Sequence, residues 1–432
     1  MTATEGALKR DIGLVGAAFI ALNGIIGAGI FAMPQTLVEG AGAFSPYFIL
    51  LIGVLMIAVA GVMGELAGYF DKAGGVTVYA TAAFGSFAGF QVGWLYYLAR
   101  LGAFAANTNV LLTYLAAYAP VDEGALRVGV IALLTLALVA INIAGVKGAV
   151  RTLNFVTVLK VAPLIILAGW GLFAFAPTIP APQWPADASG LGDISLVLLY
   201  AFVGFEMATL VSGETHDCKR NMPRALITTI VVMAVFYFLI QLAYVAVMQG
   251  AAPEGAPLAA AASVLAGPWG AAAITVAAII SIGGNLFASM IATPRLTFAM
   301  AEAGSLPAWL GQVSRRFSTP ANSILLMGVI GGALAVSGAF IWLAAMSALA
   351  RMVVYLTCIA ALPKLRGEAP KQQRGAASHV WRMAAPLAAA ALCLWAVAQA
   401  ELDAWQFIAG FAAFGTLLYL LSRWRPRQPS PI

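Results

Sequence analysis

The chain alternates long apolar runs with short polar connections. Twelve runs, each long enough to cross a hydrocarbon layer as a helix of about 17–25 residues, fall near 13–35, 45–69, 85–119, 127–146, 154–175, 192–213, 225–249, 270–300, 321–337, 339–362, 383–399 and 402–422. The runs at 85–119 and 270–300 exceed a perpendicular crossing and predict a tilt or a bend. The pattern predicts an all-α membrane protein of twelve transmembrane helices.

Two of these runs are interrupted. Asn23-Gly24-Ile25-Ile26-Gly27-Ala28-Gly29-Ile30-Phe31 places a glycine cluster inside the first run. Hydrocarbon offers no water to satisfy freed backbone groups, so a weak helix at that depth needs a purpose. One purpose is to expose N–H and C=O groups to a small polar solute, and the other is close helix packing. A second interruption, Tyr200-Ala201-Phe202-Val203-Gly204-Phe205-Glu206-Met207-Ala208, falls in the sixth run, with Gly204 180 residues after Gly24. Interrupted helices in corresponding positions of two halves indicate a transporter with inverted repeats and favour the solute-binding reading. The expected organisation is a cytoplasmic segment 1–11, repeat one over 12–180, repeat two over 181–366, a loop with two further helices over 367–422, and a cytoplasmic tail 423–432.

Composition agrees: 62% of residues are hydrophobic and 9% charged, with a mean hydropathy of +0.93. A soluble domain of this size does not look like this. With the N-terminus inside, the cytoplasmic loops and tails carry 18 of the 23 Lys and Arg residues, against Arg127 alone outside. The positive-inside rule therefore places both termini in the cytoplasm. The net charge of +6 reports that topology and implies no nucleic-acid partner. Cys218, Cys358 and Cys393 are scattered, and His216 and His379 lie in loops, so no metal, cofactor or catalytic site is expected. The first run is too long for a signal peptide, and no small-residue cleavage site follows it.

Further motifs accompany the interruptions. Lys72-Ala73-Gly74-Gly75-Val76-Thr77-Val78-Tyr79 precedes Gly93-Trp94-Leu95-Tyr96-Tyr97; Asn221-Met222-Pro223-Arg224 follows Glu214; Ala303-Gly304-Ser305-Leu306-Pro307 closes the eighth run. In this order, from Lys9 to Arg366, the chain resembles the amino acid–polyamine–organocation superfamily, near the bacterial amino-acid permeases and arginine–agmatine-type exchangers. The resemblance implies a five-plus-five inverted repeat of the leucine-transporter type plus two helices, in a bacterial cytoplasmic (inner) membrane, with an amino acid and protons as partners.

The candidate residues follow from what an α-amino acid presents. The N–H groups of Gly27, Ala28 and Gly29, with a half-helix dipole behind them, would receive its carboxylate. Carbonyls near Ile25, Phe202 and Val203 would receive its ammonium. Tyr200 stands where the resembling family places an aromatic lid, though an ordinary packing role is the alternative. Asn285 stands where the exchangers carry a second aromatic gate, which removes the flat face a guanidinium would stack on. Ser347 completes the expected substrate shell. Lys160 is expected in the coupling role, since in the resembling proton-coupled permeases a fifth-span lysine replaces bound sodium; snorkelling to the headgroups is the alternative. Glu206, Arg100 and Arg351 are intramembrane charges, functional by default, with helix bracing as the alternative for each.

The expectation is a secondary transporter working by alternating access, by proton symport or exchange of neutral amino acids. Acidic substrates, or amine antiport or export, are the alternatives. If both arginines face the cavity, Glu206 balances one of them, ranking neutral side chains first, acidic second and cationic third. An intramembrane enzyme lacks a nucleophile–base pair, and a channel would not need two broken helices. The sequence leaves the oligomeric state open, with a homodimer as one option.

Overall fold

A computed structural model describes residues 11–424 apart from 71–73, 146–148, 180, 182, 186–188 and 369–378. The N-terminal segment before Asp11, Lys72, Ala73, Lys147, most of the 367–378 loop and the tail beyond Trp424 lie outside the described residues. The first run becomes α1 (Leu14–Ile25) and α2 (Gly29–Ala41), followed by α3 (Ser45–Ala67) and α4 (Val76–Phe84). Then come α5 (Ser86–Leu115), α6 (Gly124–Ala144), α7 (Ala149–Ala174) and α8 (Ser189–Phe202). A 3-10 stretch, Phe205–Glu214, leads to α9 (Cys218–Met248), α10 (Pro257–Ala292) and α11 (Pro294–Glu302). The chain closes with α12 (Ala321–Ser337), α13 (Phe340–Glu368), α14 (His379–Ala398) and α15 (Leu402–Trp424).

Among the described residues, eight helical stretches are long and apolar enough to cross a membrane, and three shorter apolar helices, Leu14–Ile25, Lys160–Ala174 and Ala321–Ser337, accompany them. No strand forms among them; Ile12 makes one isolated bridge to Thr215. The stretch Pro257–Glu302, which contains the long eighth run, is interrupted twice. Ala266 and Gly267 leave helical geometry before Pro268, and Pro294 opens a new helix after Thr293. Proline has no N–H to continue the ladder, which accounts for both sites. The third run is one uninterrupted helix of 30 residues, α5.

α5 packs along α13 and α3 along α9, forming a buried centre. α6, α14 and α15 lie outside it with apolar side chains facing outward, such as Leu133, 70% exposed. An exposed apolar surface of this extent, on helices long enough to cross a membrane, fits contact with hydrocarbon. At the expected cytoplasmic face, Arg366 grips Glu65 through two 2.7 Å hydrogen bonds. The loop Glu214–Arg224 is tied to the segment before α1 by backbone bonds: Ile12 N–H donates to Glu214 O (3.1 Å) and His216 N–H to Ile12 O (2.8 Å).

Candidate functional site

The first interruption spans Ile26-Gly27-Ala28 between α1 and α2. Gly27 N–H turns back to Ile25 O at 2.8 Å, and Ala28 N–H donates to Asn107 Oδ1 of α5 at 3.1 Å. The freed Ile26 carbonyl accepts from Lys160 Nζ (3.3 Å) and Asn285 Nδ2 (3.4 Å), and Lys160 also reaches Asn23 Oδ1 at 3.2 Å. Lys160, 4% exposed, is therefore fastened to the break and does not snorkel. These bonds already engage part of the expected substrate shell. Gly27 N–H is donated to Ile25 O, and a ligand carboxylate reaching Ala28 N–H must displace Asn107.

Asn107 is the residue that sequence reasoning missed. Its Oδ1 also accepts from Tyr200 OH at 2.8 Å, while its Nδ2 donates to Asn285 Oδ1 at 2.8 Å. One amide thus links both interrupted segments to α10. The available signal was the polar run Asn107-Thr108-Asn109 in the middle of an apolar helix.

The second interruption follows α8. Gly204 takes φ +110°, a left-handed conformation that disfavours any side chain. Its N–H donates to Glu206 Oε2 at 2.7 Å, as does Tyr355 OH at 2.7 Å, while Glu206 Oε1 pairs with Arg351 Nε at 3.1 Å. Arg351 also donates to Ser347 Oγ (2.5 Å) and to the Ser347 and Ala99 carbonyls (3.4 Å each). This network connects α13, α5 and the break. A buried pair of this kind is costly to break from one side, because the remaining charge has no water.

Between the interruptions lies a cavity of about 340 Å³, including its open mouth. Of the expected residues, Ile25, Gly27, Gly29, Tyr200, Val203, Asn285, Arg100 and Arg351 line it. Ala28, Phe202 and Ser347 do not; Ala28 is fully buried, its N–H held by Asn107. Phe202 packs edge-on against Tyr237, with ring centroids 5.6 Å apart, and Ser347 is fully buried, its hydroxyl donating to Ala99 O at 2.7 Å. Glu206 and Lys160 lie behind the lining and brace the two interruptions. Tyr200 presents its ring edge-on to Phe340 at 5.9 Å. Arg100 is held through Thr293 Oγ1 (3.3 Å), Ser289 Oγ (3.2 Å) and Met207 Sδ (3.1 Å), with no backbone carbonyl involved. Arg295, outside this site, donates to Ile291 O within its own stretch.

Two broken helices converging on a polar cavity inside a lipid-facing bundle define a membrane transporter. The chain belongs to the amino acid permease family, whose sequence profile matches residues 12–418. It is a membrane transporter, not an enzyme. It is 31% identical over 339 residues to an uncharacterised transporter of Mycobacterium tuberculosis, covering 76% of this chain and 74% of that one. It is 26% identical over 435 residues to the methylthioribose transporter of Bacillus subtilis, covering 96% and 94% of the two chains. With the serine/threonine exchanger SteT of Bacillus subtilis the identity is 30% over 336 residues, covering 74% and 75%.

Proposed function

We propose that the protein is a secondary active transporter of amino acids working by alternating access. The observation that carries this reading is that both interrupted helices, far apart in the chain, meet at one cavity. The α-carboxylate is received at Ala28 N–H and the positive end of α2, taking the place of Asn107 Oδ1. The ammonium is received at the carbonyl end of α8, near Phe202 and Val203, where the helix dipole is negative. Twelve spans arranged as two five-helix repeats, 12–180 and 181–366, rock about this point, with α14 and α15 as an appendix. Both termini face the cytoplasm of a bacterial cell, across its inner membrane.

Coupling is to protons or to a second amino acid, without sodium. The contact of Lys160 with Ile26 O and Asn23 supports this, since an ammonium there supplies the charge a bound Na⁺ would otherwise supply. Relatives named for serine/threonine and for methylthioribose differ in substrate, so the residues of this site have to decide among side chains. Neutral substrates fit where the cavity arginines are tied to protein partners: Arg351 is tied to Glu206 and to backbone carbonyls, whereas Arg100 is tied to neither. A cationic side chain is disfavoured by Arg100, whose charge no described carboxylate meets.

The test is a thermal-shift screen of the purified protein against all amino acids and their amines, followed by counterflow in proteoliposomes. A ligand stabilises by RT ln(1 + [L]/Kd), and saturable counterflow separates a carrier from a channel. If no amino acid stabilises the protein and none is exchanged, the reading fails.

A further inference from the structure

The cavity holds more positive charge than a simple zwitterion uses. Arg351 is already met by Glu206 at 3.1 Å. Arg100, 6% exposed, also lines the cavity and forms no ion pair with any described carboxylate. Its three hydrogen bonds, at 3.1–3.3 Å, all end on neutral acceptors: two hydroxyls and a thioether. A guanidinium has five N–H donors and keeps its charge in proteins, so it cannot relieve this burial by losing a proton. Lys160 adds a further cation behind the first interruption, bonded to neutral oxygens alone.

Position says which part of a substrate meets Arg100. Asn107, which holds Ala28 N–H, lies seven residues further along α5. That is about 10 Å between backbones at 1.5 Å per residue. On α10, Ser289, the partner of Arg100, lies four residues from Asn285, the partner of Asn107. This is about one turn, roughly 6 Å. The guanidinium therefore sits about one amino-acid side chain away from the carboxylate position proposed above, displaced toward the α11 end of α10.

The geometry points to a substrate with two carboxylates: an amino acid with an acidic side chain, whose second carboxylate is received by Arg100 and the Ser289 hydroxyl. This rests on the transporter reading given above. A planar guanidinium pairs with a carboxylate in a bidentate way that an amide cannot reproduce. An arginine or lysine side chain would instead bring a like charge to the same place. If Arg100 received the α-carboxylate, an acid and its amide would bind alike, and the test separates the two arrangements.

The experiment is counterflow competition in proteoliposomes of the full chain, comparing glutamate with glutamine and aspartate with asparagine. The acid of each isosteric pair is expected to compete at about a tenfold lower concentration, or lower still, than its amide. Arg100→Gln is expected to collapse that ratio to about one, and Arg100→Lys to preserve its direction. Amides that compete as well as their acids in the unmodified protein would overturn the inference while leaving amino-acid transport standing. Failure of every amino acid to exchange would overturn the underlying reading instead. The acid-to-amide ratio of the unmodified protein decides the matter even if both variants fail to reach the membrane.

Discussion

Gly24 and Gly204, 180 residues apart in sequence, meet backbone to backbone where the two interruptions face each other. A Cβ on Gly24 would run into the Gly204 carbonyl, and a Cβ on Gly204 into the Gly24 carbonyl. Neither contact can be relieved by a side-chain rotation, because both partners are main chain. The approach holds the freed backbone groups of both segments around one cavity.

Gly24→Ala and Gly204→Ala are each expected to lower stability by about 1–3 kcal/mol, the usual cost of overpacking, and to remove transport. Gly27→Ala should be tolerated, since its Cβ would have no neighbour nearer than 3.4 Å, at Asn107. Gly27→Leu should abolish uptake without preventing membrane insertion, because its side chain fills the carboxylate position. Thermal melting and counterflow on the four variants check this. Normal uptake by Gly27→Leu would sink the placement of the substrate.

Removing Glu206 strands Arg351 without a counter-charge in a buried position. Glu206→Ala should cost about 3–5 kcal/mol, measured as a lower melting temperature in detergent. Arg351→Met combined with Glu206→Gln should recover part of that loss, because no lone charge remains. Melting temperatures for Glu206→Ala equal to the unmodified protein would show that the network is not structural.

Transport should proceed without Na⁺. Lys160→Ala should lose proton-driven uptake, while exchange survives if the lysine mainly gates coupling. Uptake is to be measured in proteoliposomes with imposed proton and sodium gradients. A strict Na⁺ requirement would refute the role given to Lys160.

Tyr200→Phe keeps the cavity wall and removes the 2.8 Å bond to Asn107. Substrate binding should change by about 2–10-fold, the worth of one hydrogen bond of this kind. Tyr200→Ala, which also removes the ring, should abolish counterflow. Near-normal transport by the alanine variant would reduce Tyr200 to a packing residue.

The sequence alone determined the helical membrane class, the two interruptions and the exceptional standing of Lys160, Glu206, Arg100 and Arg351. These follow from local physics: run length against membrane thickness, glycine in a helix where backbone groups find no water, and charge in hydrocarbon. Tertiary structure alone decided who meets whom. That Glu206 pairs with Arg351 and not Arg100 depends on how α13 and α5 pack beside the second break. That Ser347 and Phe202 face away from the cavity depends on helix rotation, which sequence spacing does not specify when nearly every position is apolar. Asn107 looked like one of three consecutive polar residues on α5, and only the meeting of α2, α8 and α10 around it turned its amide into the link between the two breaks. In a soluble helix the polar stripe reveals the buried face; in a helix buried on all sides that stripe is missing, so facing is settled by packing.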